Sequence, residues 1–382
     1  MSSSRDLIKN LAIEAGIDLQ KDIIIRNNDF YDRVFSDESL GLGETFMMGW
    51  WDSKDKTLDE IFYLISKADL KKKLNELSIE SKMAIGISWL YNYVFPTSSI
   101  ENSKIVAVRH YNLNKKIYKS MLGNKLVYSC GYFVNKSDTI DQAQNNKMEL
   151  IRKKIHLKPG MRVLDIGCGW GVLADFLANS ENNIYVDAIT ISTEQYAYAK
   201  KHYESSHIKF YLQDYREFNP GYKYDAIVSV GMFEHVNSNN YEKFMSITND
   251  LLKDNGIFLL HTIGSPQEVI VPDRWIEKYI FPNSQLPTLT QISSSAEGKF
   301  IIEDIHNFGS HYDKTLMHWY NNFTRNFVDL NKSLNGTLTL EFYRMWIYYL
   351  LSCAGGFRSR HIQLYQVVLT KNPTGHYQRE FL

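Results

Sequence analysis

The residues with the plainest chemical purpose lie in Val163-Leu-Asp-Ile-Gly-Cys-Gly-Trp-Gly171. A run suited to a strand ends in three alternating glycines, Gly167, Gly169 and Gly171. Glycines let a backbone approach a ligand that side chains would exclude. Asp165 puts a carboxylate at the mouth of that strand, where it suits a cationic amine and would repel a pyrophosphate. Alone, the G-x-G-x-G pattern fits a nucleotide loop or a tight turn, and the acid before it changes the reading. A second set is scattered: Cys130, Glu234, His261 and Tyr312 are polar islands beside apolar sequence. Glu234 and His235 follow the run Ala226–Val230, and His261 lies near the end of Gly256–Thr262. A buried carboxylate and imidazole beside a ligand could handle a proton. On the residues alone, a capping Glu and a satisfied core His are the simpler readings.

Positioning these groups requires strands that end together. From about residue 105 the pattern alternates: strands at Arg162–Ile166, Ile184–Thr190, Ile208–Leu212, Tyr224–Val230 and Gly256–Thr262, helices at Val172–Asn179, Thr193–Tyr203 and Tyr241–Leu252. Phe300–Asn307 and Leu364–Leu369 complete the sheet, with a helix at Leu338–Cys353 between them. This predicts an α/β fold, a Rossmann-like, doubly wound and mostly parallel sheet over 105–382. Ligands of such sheets lie beyond the C-terminal strand ends. Residues 1–95 read as a smaller, mainly helical domain: a helix at Asp6–Ala15, a short strand at Ile23–Ile25, and helices at Leu58–Ile65 and Ser81–Phe95. The polar stretch 96–104 is the expected linker.

At 382 residues, with 44% apolar and 23% charged side chains, the chain can bury a full core and is not disordered, collagenous or a coiled coil. The longest apolar runs, such as Met345–Leu351, fall far short of the roughly 20 residues that span a bilayer. The first residues lack a secretory h-region, and Cys130, Cys168 and Cys353 make no disulfide framework. A cytoplasmic setting is the expectation. Forty-three basic residues balance 43 acidic ones, which argues against a nucleic-acid partner. Locally the balance breaks: residues 1–100 carry 12 basic and 16 acidic groups, residues 101–160 carry 12 and 4. The basic excess fits either an anionic lipid surface or a solvated helix face. His306, His311 and His318 lack metal-ligand spacing, and no metal is expected.

The glycine stretch matches motif I of class I methyltransferases that use S-adenosylmethionine. More narrowly, the chain resembles the cyclopropane-fatty-acid-phospholipid synthase family over nearly its whole length. The likeness runs through Gly41-Leu-Gly-Glu-Thr-Phe-Met-Met-Gly-Trp-Trp51, His110-Tyr-Asn-Leu, Tyr128-Ser-Cys-Gly-Tyr132 and Leu157–Gly171. It continues in Leu212-Gln-Asp-Tyr-Arg-Glu217, Val230-Gly-Met-Phe-Glu-His-Val236, Leu260-His-Thr-Ile-Gly264, His306-Asn-Phe-Gly309 and Cys353-Ala-Gly-Gly-Phe-Arg-Ser-Arg360. The resemblance implies methylene transfer from S-adenosylmethionine to the cis double bond of an unsaturated phospholipid acyl chain. A bound bicarbonate would remove a proton from the resulting carbocation. It further implies Thr190, Ser192 and Gln195 at the ribose in place of the usual acid, Gln213 and Asp214 at the adenine, and Tyr128 and Ser129 over the methionine moiety. Asp214 is also open to being an ordinary solvated loop residue. Cys130, Glu234, His261, the Ile263 backbone and Tyr312 would cradle the bicarbonate. Cys353 is a rival catalytic candidate, although no step of methyl transfer to an alkene needs a thiolate. A homodimer in peripheral contact with the inner face of the cell membrane is implied as well. Phe46, Met47, Met48, Trp50 and Trp51, with the basic stretch Lys104–Lys158, are the expected lipid-docking surface; the Trp pair reads equally as ordinary domain core, and the basic stretch as a balance for acids elsewhere on the surface.

Overall fold

The computed structural model describes residues 4–68, 115–268, 273–373 and 375–379. The expected helix Ser81–Phe95, the linker 96–104, the His110–Leu113 segment and Lys104 lie outside the described residues.

The chain divides into two compact units. One holds a seven-stranded sheet in the order β5-β4-β3-β6-β7-β9-β8. Its strands are β3 (Arg162–Ile166), β4 (Tyr185–Thr190), β5 (Ile208–Leu212), β6 (Tyr224–Val230), β7 (Leu252–Gly264), β8 (Ile301–Asn307) and β9 (Gln363–Thr370). Strands β3 to β7 pair in parallel, while β9 runs antiparallel to both β7 and β8. The fold is α/β with a mostly parallel central sheet. Side chains alternate between the faces of a strand. On one face Leu164, Ile166, Ile227, Phe258 and Leu260 pack with Phe244 and Met245 of the helix Tyr241–Leu251. On the other, Val163, Val228, Leu259 and Val368 pack with Ile151 of the helix Ile140–Lys154 and with Ala174 and Leu177 of the helix Val172–Ala178. By the same alternation Asp165, His261 and Gln366 belong to this second face. Register joins them: Asp165 pairs with Val228, and Val230, His261 and Gln366 are partners across β6, β7 and β9.

The other unit is not one continuous stretch. To the N-terminal helices Ser4–Glu14, Phe30–Met47 and Leu58–Lys67 and the paired strands β1 (Ile23–Ile25) and β2 (Trp51–Ser53) it adds the helices Arg274–Tyr279 and Leu340–Arg358. The helix Ser310–Ser333 is shared, with its residues from Leu316 onward belonging here. The core is aromatic. Phe46 lies 5.1 Å from Trp51 and 5.6 Å from Tyr348, centroid to centroid. Tyr348 meets Phe62 at 4.8 Å and Trp275 at 4.3 Å. Gly355 explains part of the Cys-Ala-Gly-Gly motif: a Cβ there would stand 2.6 Å from the Tyr63 backbone nitrogen, so only glycine lets the helices Leu340–Arg358 and Leu58–Lys67 touch.

This core takes most of the expected docking surface and decides for the core reading at Trp51. Phe46, Met47 and Trp51 are buried, and the Trp51 indole donates to the Leu42 carbonyl at 3.0 Å. Met48 is the exposed member, at 49%. The basic stretch is thinned as well. Lys147 and Lys154 are buried, and Arg152 is tied to Glu149 and Glu181. Among the described residues no helix is long and apolar enough to cross a membrane.

Candidate active site

The site is built from the C-terminal ends of β3, β4, β6 and β7 and the loop Tyr128–Tyr132. At β3, Asp165 is buried and its Oδ2 has no hydrogen-bond partner. Burial pushes its carboxyl up to about 7, against the pull of nearby Lys147. The turn that follows has positive φ at Gly167, Gly169 and Gly171. Gly167 is the most constrained of them. Its φ is +83°, and an added Cβ would meet the Met232 side chain at 2.7 Å. Cys168 faces the apolar core as a small filler, its thiol raised by burial.

Beyond β4 three buried polar residues knit together. Thr190 donates to Gln195 Oε1 at 3.2 Å, and Ser192 accepts from the Gln195 N–H at 3.3 Å, capping the helix Thr193–Tyr203. That leaves the Gln195 amide nitrogen and a Thr190 lone pair for a ligand such as a ribose. After β5, the Gln213 amide donates to the Glu217 carbonyl. Both oxygens of Asp214 accept from Arg216, which holds the carboxyl below its usual range despite its burial. An adenine amine would have to share Asp214 with that guanidinium.

Glu234 sits in the 3-10 turn Phe233–His235, just past β6. Its Oε1 accepts from the Ile263 N–H at 2.6 Å, while its buried Oε2 has no partner. Burial raises this carboxyl to about 7, and the Ile263 bond opposes the shift. Ile263 therefore enters the site by holding Glu234. His261 is 1% exposed, and burial holds its imidazole well below the ordinary value, so the ring is neutral. With the Gln366 amide donating to Nδ1 at 3.0 Å, the ring proton sits on Nε2, which has no partner. Phe308 lies edge-on to His261 at 5.7 Å and to Tyr132 at 5.3 Å.

Cys130 is buried, with Sγ 3.3 Å from the Gly131 carbonyl and 3.9 Å from Thr315 Oγ1. Thr315 lies one turn after Tyr312 on the helix Ser310–Ser333, and Tyr312 is buried too. Burial raises the Cys130 thiol, so it is no thiolate. Tyr128 packs edge-on to Tyr118 at 5.6 Å. Ser129 accepts from Lys147 at 2.6 Å, and its carbonyl accepts from Gln144 at 2.8 Å. Sequence reasoning singled out neither Gln144 nor Lys147. Their signal was present: they are polar residues three apart on the apolar face of the helix Ile140–Lys154. Cys353 lies in the other unit, on the helix Leu340–Arg358, and burial raises its thiol to about 12. Neither cysteine offers a reactive thiolate.

These features fit S-adenosylmethionine. An orphaned buried carboxylate awaits a cation, and a glycine turn opens the backbone beside it. Fold and site together define an S-adenosylmethionine-dependent methyltransferase. Solved structures agree: a mycolic acid cyclopropane synthase complexed with S-adenosylhomocysteine and CTAB matches at TM-score 0.64 and 28% identity, over 72% of this chain and 99% of that one. A cyclopropane synthase from Mycobacterium tuberculosis matches at TM-score 0.63 and 28% identity, over 70% and 97%. Residues 97–367 match the family described as mycolic acid cyclopropane synthetase, and the chain belongs to it. A cyclopropane-fatty-acyl-phospholipid synthase from Escherichia coli K12 is 41% identical over 96% of this chain and 92% of its own. A probable fatty acid methyltransferase from Pseudomonas putida is 33% identical over 69% and 68%.

Proposed function

We propose that the protein transfers a methylene group from S-adenosylmethionine to the cis double bond of an unsaturated phospholipid acyl chain, giving a cyclopropane, S-adenosylhomocysteine and a proton. The observation that carries this reading is the set of partnerless buried polar atoms, Asp165 Oδ2, His261 Nε2 and Glu234 Oε2. An unsatisfied buried group costs about 1–3 kcal/mol, so three in one region mark a place kept for ligands. The relative from Escherichia coli, named for this reaction, supports the assignment.

The cofactor supplies an electrophilic methyl, and a bicarbonate in the cradle of Cys130, Glu234, His261, Ile263 and Tyr312 would take up the proton. The chain's own residues bind, orient and keep out water. Asp165 holds the amine, Thr190, Ser192 and Gln195 the ribose, Gln213 and Asp214 the adenine, and Tyr128 covers the methionine end. An alkene is a weak nucleophile, and its attack on the methyl leaves positive charge on the acyl chain. Neutral His261 offers an Nε2–H to an anion set beside that charge. Glu234, near half-ionised at neutral pH, can give or take a proton at Oε2. Burial of both excludes the water that would trap the cation. The partner is an unsaturated phospholipid met by peripheral contact with the inner face of the membrane, and the active form is a cytoplasmic homodimer.

Lipid mass spectrometry of cells expressing the protein tests the reaction. Ring formation adds CH2 to the unsaturated acyl chain, whereas methyl addition followed by reduction adds two more hydrogens. In vitro turnover should fall in buffer stripped of carbon dioxide and return with added bicarbonate. Glu234→Gln should lower the chemical rate far more than cofactor affinity. Unaltered acyl chains in expressing cells would overturn the reading, and bicarbonate-independent turnover would overturn its base.

A further inference from the structure

S-adenosylmethionine ends in an amino-acid zwitterion, an ammonium beside a carboxylate. Asp165 answers the first charge. A carboxylate taken out of water needs a cation and donors of its own.

The helix Ile140–Lys154 places Lys147 among these elements. Its side chain is 2% exposed, and its one hydrogen bond goes to Ser129 Oγ at 2.6 Å. It forms no ion pair with any described residue. Its charge is felt by Cys130, Asp165 and His261, none of which bonds to it. Burial pulls this amine down to about 7, and with a single hydroxyl partner its charged form is an expensive arrangement unless an anionic ligand completes it.

Ser129 adds an independent sign. Its hydroxyl oxygen accepts from Lys147, so its own proton must be donated elsewhere, and no described residue takes it. The residue is buried, and the Gln144 amide fixes its carbonyl. Lys147 and Ser129 are therefore two joined donors whose remaining protons find no acceptor among the described residues. They adjoin the acid that holds the amine.

We propose that Lys147 and Ser129 together receive the carboxylate of the cofactor's methionine moiety while Asp165 takes its amine. This rests on the cofactor reading above and extends it to a cation that the glycine motif does not contain. Lys147 supplies the charge, and Ser129 turns it into a directed hydrogen bond.

Calorimetry of the full chain with two ligands tests this: S-adenosylhomocysteine and its decarboxylated analogue, which keeps the amine and loses the carboxylate. Wild type should prefer the intact ligand by about tenfold or more, the size of one charge-assisted hydrogen bond. Lys147→Met, which keeps the length and apolar stem of the side chain, should abolish that preference and leave affinity for the analogue unchanged or higher. Ser129→Ala should reduce the preference in part, and gives a second reading should the lysine variant fold poorly. A wild type that does not discriminate would overturn the proposal. So would a folded Lys147→Met that loses affinity for both ligands equally, the mark of a merely structural lysine, or an unchanged preference in Ser129→Ala. A wild type that binds neither ligand would instead refute the cofactor site itself.

Discussion

Asp165 and Glu234 are both kept near 7 by burial, and this has a thermodynamic signature. Glu234 is raised from 4.5 to about 7. Between those pH values the folded chain holds a proton that the unfolded chain has released, so stability falls as pH rises. The loss is complete above about 7 and amounts to roughly 3 kcal/mol, since one pKa unit is 1.36 kcal/mol. Buried His261 and His235 act with the opposite sign, because their folded values are depressed and their contribution is lost as pH falls below 6.5. Comparing Glu234→Gln with wild type cancels the histidines. The variant should gain up to about 3 kcal/mol in urea unfolding at pH 8 and almost nothing at pH 4. A gain independent of pH would show that the carboxyl is not strained by burial. Asp165 was legible at this scale because its place before the glycines gives it a chemical sense. Lys147 was passed over, since a lysine in a basic stretch reads as surface unless its place on the apolar face of its helix is weighed against that.

The parallel strands were read almost residue for residue: Arg162–Ile166, Ile208–Leu212 and Tyr224–Val230 have the expected bounds. Short apolar runs bounded by turn residues are the clearest pattern a buried strand can leave. Helices that mix polar and aromatic groups were missed, among them Phe30–Met47, which is broken by a kink at Glu38 (φ +51°) and whose glycines argue against a helix, and Ser310–Ser333. Both bury aromatics along part of their surface, and tertiary packing outweighs their weak propensity. At the β3 turn, Gly167→Ala should be destabilising by roughly 2–4 kcal/mol. A left-handed backbone costs about 1–2 kcal/mol, and the Met232 contact adds overpacking. Cofactor affinity should fall with it, because the turn presents its backbone to the ligand. A denaturation midpoint equal to wild type would show that Met232 yields freely.

Over the whole molecule, zero net charge conceals a set of exposed lysines: Lys115, Lys116, Lys119, Lys136 and Lys158. If they draw the enzyme to anionic headgroups, each adds about 1 kcal/mol near the surface. Co-sedimentation with anionic vesicles should then weaken steeply from 0.01 to 0.1 M salt, as the Debye length shrinks from about 30 to about 10 Å. Equal, salt-insensitive binding to neutral vesicles would sink the electrostatic part. Deleting residues 1–95 is a poor probe of docking, because the helix Leu340–Arg358 would lose Phe46 and Phe62 from Tyr348 and the backbone that packs on Gly355, baring part of its aromatic face. Charge reversal at the exposed lysines leaves that core intact. Sequence order hid this arrangement: a unit assembled from distant stretches has no boundary to find in composition.

Strand β9 is the last of the sheet to be synthesised, yet it lies between β7 and β8. While the chain is still emerging from the ribosome, β7 keeps an open edge and β8 has no neighbour in the sheet. Unpaired edges of this kind invite pairing with other chains. The imidazole of His261 also lacks its Gln366 partner until that moment. The nascent enzyme thus stays chemically incomplete until Gln363–Thr370 has been made, and a chain cut short before residue 363 would retain its glycine turn but neither the strand that joins β7 to β8 nor an oriented histidine.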